Sequence, residues 1–165
     1  MGFTYFTELI ELGKWKCRQF IKQSTTIGIN RNKKDSLTIN NENGIDGFSS
    51  DVLSGKSRFL LTLQTQLYAP WNVLGFHFGP FLTYSIGMLN DHETSFQKSR
   101  VYTLVGIGFL IKNENLIFNT FQVSLSFYPI IPGRGNNILK VNSLKTTDFG
   151  LRDFGISKPG VLEYK

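Results

Sequence analysis

The chain has 165 residues, enough for one domain, and its one cysteine excludes an internal disulfide and a thiolate metal site. Aromatic residues make up 14% of the chain and charged residues only 18%, a composition that favours β-strands. The net charge of +6 comes from scattered lysines and arginines, which excludes the single basic face of a nucleic-acid-binding module.

The first part of the chain is predicted to hold two strands and one long loop. The strand candidates are Phe3–Leu12 and Phe20–Asn30, and the polar segment Asn30–Lys56 is the loop. Arg58–Tyr68 then alternates with period two, which predicts a strand with one apolar and one polar face. The apolar face carries Phe59, Leu61, Leu63 and Leu67, and the polar face carries Thr62, Gln64 and Gln66.

Three further segments alternate in the same way. Leu74–Gly87 sets large apolar side chains against small and polar ones, and Val101–Ile111 sets apolar side chains against glycines. Leu116–Tyr128 alternates most clearly, and Pro129 is expected to end this strand. The links are predicted at Ala69–Asn72, Asn90–Lys98, Lys112–Asn115 and Pro132–Asn137, with a last strand within Ser143–Tyr164.

These strands predict an all-β fold, an antiparallel meander that forms part of a transmembrane β-barrel over residues 1–165. Seven or eight strands are expected, each near the ~9–11 residues that a tilted membrane span needs. The polar faces carry amides and hydroxyls rather than charges, which suits a wet barrel interior. A soluble β-barrel, with its apolar face inward, stays open from alternation alone. The residues expected to face lipid are Leu61, Leu63, Phe121, Val123, Leu125 and Phe127, and those expected at the membrane interfaces are Tyr68, Trp71, Tyr102 and Tyr128.

Residues that could carry enzymatic chemistry form no recognised pattern. Glu8 and Glu11 lie three positions apart, so a strand places them on opposite faces. Ser54–Ser57 lacks the first glycine of a phosphate-binding loop at the required spacing. The histidines share no metal-ligand spacing with Cys17. The sequence therefore predicts a protein that is not an enzyme, with no catalytic residue, cofactor or metal.

The long loop carries the most informative motif. Asn40–Phe48, followed by Leu53–Leu61, resembles the loop signature of the barrel-assembly insertase and two-partner-secretion transporter superfamily, the bacterial surface-antigen family. In that family a hydrophobic-Arg-Gly-aromatic tip folds back into the barrel lumen. Ile45, Gly47 and Phe48 match the tip, and the resemblance implies that it lies against the polar face of Leu74–Gly87.

The chain departs from this family at the contact between the loop tip and the barrel wall, here called the latch. Asp46 stands where the family has the tip arginine, and Ser85 stands where it has the partner aspartate. Both halves of the family's ion pair are absent, and a hydrogen bond between Asp46 and Ser85 is expected instead, because an aspartate pair would be costly. The predicted latch comprises Ile45, Asp46, Gly47, Phe48 and Ser85.

The remaining matches follow the family's order along Phe20–Lys165. Pro70–Gly87 resembles the hairpin that enters its inward strand, and Gly106–Phe118 resembles the next hairpin. Asp153–Tyr164 resembles the closing strand, whose signal residues would be Lys158, Pro159 and Tyr164. Family members usually end on an aromatic residue, whereas here Tyr164 is penultimate.

The resemblance implies a bacterial outer-membrane protein with a role in protein insertion or translocation. Its expected partners are outer-membrane lipid, client polypeptides and further N-terminal strands of the same barrel, and no nucleic acid is expected. Met1–Thr4 shows no basic signal-peptide region, which favours a truncated chain or a soluble protein. Two alternatives stay open: a self-contained eight-stranded outer-membrane barrel that acts as an anchor or adhesin, and a soluble ligand-binding β-barrel.

Overall fold

The computed structural model describes residues 1–28, 36–41, 44–90, 99–113 and 121–145. Two short strands and seven longer ones make up the regular structure of these residues. In chain order they are β1 Gly2–Phe6, β2 Ile10–Leu12, β3 Trp15–Ile27, β4 Ser57–Tyr68, β5 Asn72–Val73, β6 Phe76–Asn90, β7 Val101–Asn113, β8 Phe121–Ile131 and β9 Gly135–Lys145.

The strands form one antiparallel sheet. Its order is β1-β3-β4-β6-β7-β8-β9, with β2 also paired to β3 and β5 to β6, so neighbours in space are near neighbours in the chain. Within the described residues, β1 and β9 lie at the two edges and do not pair with each other. The predicted all-β antiparallel meander is confirmed, as an open sheet.

Alternation of the sequence divides the sheet into two contrasting faces. Paired residues in an antiparallel sheet point to the same side, so one row of pairs shows one face. The first of two adjacent rows is mainly polar and small, and the second is wholly apolar. The first row is Phe20, Gln64, Thr83, Gly106, Ser126 and Lys140; the second is Ile21, Leu63, Tyr84, Val105, Phe127 and Leu139.

The long loop covers the face that contains the first row, here called the inner face. Its described parts, residues 36–41 and 44–56, are closed at the base by a bridge between Leu37 and Gly55. Ile39, Ile45 and Phe48 from the loop form the buried core together with inner-face side chains. Those inner-face partners are Leu60, Tyr102, Leu104, Tyr128 and Ile131.

A bulge splits the predicted strand Phe3–Leu12 in two. Phe6 pairs with Phe20 and Ile10 with Cys17, so residues 7–9 face only residues 18–19 of β3. The extra residue interrupts the ladder. Thr7 stays bonded to β3 at this point: its backbone N–H donates to the carbonyl of Gln19 at 3.0 Å, and its hydroxyl accepts a hydrogen bond from the backbone N–H of Gln19 at 3.1 Å.

Other predicted boundaries need correction. Pro129 does not end its strand, because the β7–β8 ladder stops at Phe127 and β8 goes on pairing with β9 as far as Ile131. The prediction missed β9, since the Asn and Gly residues after Pro132 were assigned to a turn. Leu74 and Gly75 form a two-residue hairpin turn with φ of 53° and 82°, so β6 begins at Phe76.

Several predicted features lie outside the described residues. They are most of the loop Asn90–Lys98, the beginning of the strand Leu116–Tyr128, and the last strand beyond Lys145. The closing-strand residues Lys158, Pro159 and Tyr164 belong to this group.

Candidate functional site

The loop tip is held on the inner face by apolar packing. Ile45 lies over Gly87 of β6, where a Cβ atom added to the glycine would come within 2.8 Å of the isoleucine Cδ1. A larger residue at this position would displace the end of the isoleucine side chain, so the glycine allows the close approach. Phe48 is fully buried, with its ring centroid 5.7 Å from that of Tyr102 and 6.3 Å from that of Tyr128.

Polar groups of β8 and β9 bind the backbone of the tip. The Tyr128 hydroxyl donates to the carbonyl of Asp46, and the Lys140 ammonium donates to the carbonyl of Gly47 at 3.0 Å. The amide of Asn142 donates to the Tyr128 hydroxyl at 2.9 Å and orients it. The tip is therefore bound through main-chain oxygens as well as through apolar side chains.

The tip keeps its shape through its own hydrogen bonds. Gly47 has a φ of +66°, a left-handed conformation that glycine adopts without a steric penalty. The backbone N–H of Gly47 donates to the side-chain oxygen of Asn41 at 2.8 Å, and that of Phe48 donates to the carbonyl of Ile45 at 3.0 Å. Asn41 and residues 44–48 are thus held together in an arrangement that presents Ile45 and Phe48 to the sheet.

A second set of contacts fixes the base of the loop. Asn40 and Ser50 exchange two hydrogen bonds, of 3.1 and 2.9 Å, and the Ser50 hydroxyl donates to the carbonyl of Pro132 at 2.6 Å. Arg58 of β4 donates to the carbonyl of Thr38 at 2.9 Å. Both the tip and the base of the loop are bonded to the sheet, so the described parts of the loop pack as part of the folded structure.

The predicted latch partner Ser85 lies on the same face, one inward position before Gly87 on β6. Its hydroxyl is 3.0 Å from that of Thr62, and the two form a hydrogen bond. The hydrogen bond expected between Asp46 and Ser85 stays a prediction. Ile45 contacts β6, the strand that the sequence predicted, whereas the rest of the tip contacts β7, β8 and β9.

Sequence reasoning missed the residues of β8 and β9 that bind the tip. Tyr128 was assigned to an interfacial girdle, although its even position places it with Ser124 and Ser126 on the inner face. Tyr68 and Tyr102 are likewise buried on the inner face, and only Trp71 of the four predicted girdle aromatics is exposed. Period-two parity was the signal available for all three tyrosines.

The opposite face of the sheet, which contains the second row and is here called the outer face, presents exposed apolar side chains. In the second row, exposure ranges from 37% for Phe127 to 61% for Leu139 among the four residues from β6 to β9, whereas Ile21 and Leu63 are half-buried. Among the described side chains of β3–β8, the outward positions from Trp15 to Phe127 carry no charge. Uncharged polar residues, including Gln19, Gln23 and Thr65, interrupt this face on β3 and β4, whereas the outward positions of β6–β8 are mainly apolar. A mainly apolar exposed face of this extent marks an interaction surface.

Aromatic rings cluster at the edge of the outer face near the β5–β6 turn. The rings of Trp15 and Trp71 meet edge to face at 5.9 Å between centroids, and Phe78 lies 6.4 Å from Trp71. Within the part of the chain that the structure describes, no group of three or more His, Cys, Asp or Glu side chains could hold a metal ion. The described residues include no helix long and apolar enough to cross a membrane.

The chain is thus an all-β protein built on a sheet with an apolar outer face and an inner face that holds a folded loop. Comparisons with protein-family models, with curated proteins and with solved structures find no match.

Proposed function

We propose that the chain is part of a transmembrane β-barrel of a bacterial outer membrane, with its outer face against lipid. The observation that carries this proposal is the polarity of the sheet. The loop packs on the face that bears the lysines and the buried glutamines and serines, and it leaves the mainly apolar face uncovered. In a soluble β-sheet the apolar face would be the covered one.

The lengths of the strands and the aromatic residues at one end of the outer face support the same proposal. The long strands β3, β4, β6 and β7 have 13, 12, 15 and 13 residues, which exceeds the ~9–11 that a tilted membrane strand needs. Trp15, Trp71 and Phe78 lie at one end of the apolar face, where amphipathic aromatic side chains favour the membrane interface. Further strands would have to pair with β1 and β9 to close the barrel.

The role within this class follows from the loop. We propose a member of the surface-antigen superfamily that acts in protein insertion or translocation across the outer membrane. The support is a loop tip with an Ile-x-Gly-Phe sequence that lies on the inner wall, as the resemblance implies. A binding or anchoring barrel is the second candidate, and the uncharged outer face supports it equally.

The outer face is tested by introducing a charge where it is exposed. Leu125 is 41% exposed, so Leu125→Arg would change the stability of a water-soluble sheet by only about ±0.5 kcal/mol. Arg at the midplane of a lipid-facing surface costs ~2–4 kcal/mol. We expect the variant to fold into lipid vesicles far less than the wild type, measured by flotation of refolded protein with vesicles.

The control is Val52→Arg, a change of the same kind in the loop at a side chain that is 70% exposed. This variant should float with vesicles as the wild type does. Equal flotation of both variants, or a wild-type chain that stays in solution without detergent, would rule out a lipid-facing outer face.

A further inference from the structure

Among the described side chains of the strands, the charged ones lie on the inner face of the sheet. Lys16, Arg18 and Lys22 occupy three of the four inward positions from 16 to 22 of β3, where they pair with Tyr68, Gln66 and Thr62 of β4; Phe20 occupies the fourth. Arg58, Lys112 and Lys140 occupy inward positions of β4, β7 and β9. Among the described strands, Glu11 is the one acidic residue of this face, and it pairs with Lys16.

The three cations of β3 form a row along the wall of the sheet. Strand geometry places Lys16 and Arg18 about 7 Å apart, and Arg18 and Lys22 about 13 Å apart. Gln64 and Gln66, both buried, lie beside them on β4 and add amide groups. This part of the inner face is separate from the tip contacts, which involve β6–β9.

Arg18 has the geometry of a binding residue. Its guanidinium carbon lies 5.4 Å from the centre of the Phe6 ring, and that ring packs against buried Phe20 at 6.2 Å between centroids. The first of these distances allows a cation–π interaction between the guanidinium and the ring. Its Nε is buried and has no hydrogen-bond partner within the part of the chain that the structure describes. A buried donor without a partner is costly, and the terminal N–H groups of the same guanidinium can donate to an anion.

We infer that the inner wall along β3 binds anions that carry carboxylate or phosphate groups, with Arg18 as the principal contact and Lys16 and Lys22 beside it. The inference rests on the proposed function in one respect: it takes the inner face as the lumen through which a solute or polypeptide passes. Rings of Arg and Lys select anions in pores, and low-dielectric walls strengthen their field. The substrate class is therefore acidic.

The test uses the whole chain refolded in micelles of an uncharged detergent. The probe is fluorescein-labelled hexaglutamate, and its binding is measured by fluorescence anisotropy at low and physiological salt. We expect the triple variant Lys16→Gln, Arg18→Gln and Lys22→Gln to bind at least roughly tenfold more weakly, because charge-assisted contacts are lost. The charge-preserving variant Arg18→Lys should retain intermediate binding, because it keeps the charge but loses the planar donor set.

A control variant distinguishes binding at this site from a general effect of the net charge of the protein. Lys14→Gln, Lys56→Gln and Arg100→Gln together remove the same charge at a turn and at two loop positions. This control should bind the probe as the wild type does. Equal weakening in the two triple variants, or a wild type that does not bind, would overturn the inference.

Competition identifies the source of the anionic group. Displacement of the probe by inorganic pyrophosphate assigns the wall to small anions, whereas displacement by unlabelled hexaglutamate alone assigns it to acidic polypeptide. Vesicle flotation of the same variants distinguishes the failure of the anion-binding inference from the failure of the proposed lipid-facing outer face. A chain that floats but shows no dependence on Arg18 contradicts this inference alone; a chain that binds the probe but does not float contradicts the lipid-facing outer face alone.

Discussion

Replacing Phe48 with alanine should release the loop tip from the sheet. The side chain is fully buried, and its ring packs against both Tyr102 and Tyr128. Truncation of a buried phenylalanine to alanine costs about 3–5 kcal/mol, because it removes apolar contacts and leaves a cavity. The main-chain bonds to Tyr128 and Lys140 remain, so the lower part of this range is expected.

This loss is expected to appear first as local opening of the loop. Each 1.4 kcal/mol is a tenfold change in an equilibrium constant, so a loss of about 3 kcal/mol raises the open fraction roughly a hundredfold. The reporters are the backbone amides of Gly47 and Phe48, which donate within the tip. Hydrogen exchange of these two amides, measured in micelles, should accelerate by that factor, while the amides of β4 keep their protection.

The matched control is Val52→Ala, which truncates a side chain of the same loop that is 70% exposed. Exposed truncations stay within about ±0.5 kcal/mol, so exchange at the tip should change no more than about twofold. If Phe48→Ala also changes exchange by less than about threefold, the apolar contacts do not hold the tip and the packing argument is wrong.

Two further predictions concern the same contact. Tyr128→Phe removes the hydroxyl that donates to the carbonyl of Asp46 and should lower the stability of the docked loop by about 1–2 kcal/mol, measured as faster protease cleavage of the loop; unchanged cleavage would show that this bond contributes nothing. Ile45→Cys with Gly87→Cys, in a chain that also carries Cys17→Ser, should form a disulfide under mild oxidation, because the isoleucine side chain contacts the glycine directly. Failure to crosslink under conditions that join a control pair on β3 and β4 would place the tip elsewhere.

The strands and their two faces could be predicted from the sequence because alternation is a local property. Each apolar or polar residue reports its own side of a strand, and Val101–Ile111 and Arg58–Tyr68 carry this pattern over most of their length. The bulge between β1 and β2 and the strand β9 were missed because they are not visible in the local pattern of their own residues. Their evidence lies in the partner strand: β3 sets the register that splits β1 from β2, and β8 pairs with a segment whose own pattern is weak.

The candidate site divides in a similar way between sequence and structure. The tip motif, with Gly47 at its turn and Phe48 as its aromatic residue, could be recognised along the chain. Its partners could not, because Tyr128, Lys140 and Asn142 lie more than eighty residues downstream and meet the tip only when the meander brings β8 and β9 beside β7. The sequence by itself determined the strands, the alternation and the loop motif. Only the tertiary structure decided which strands besides β6 hold the tip, because those contacts depend on packing between residues far apart in the chain.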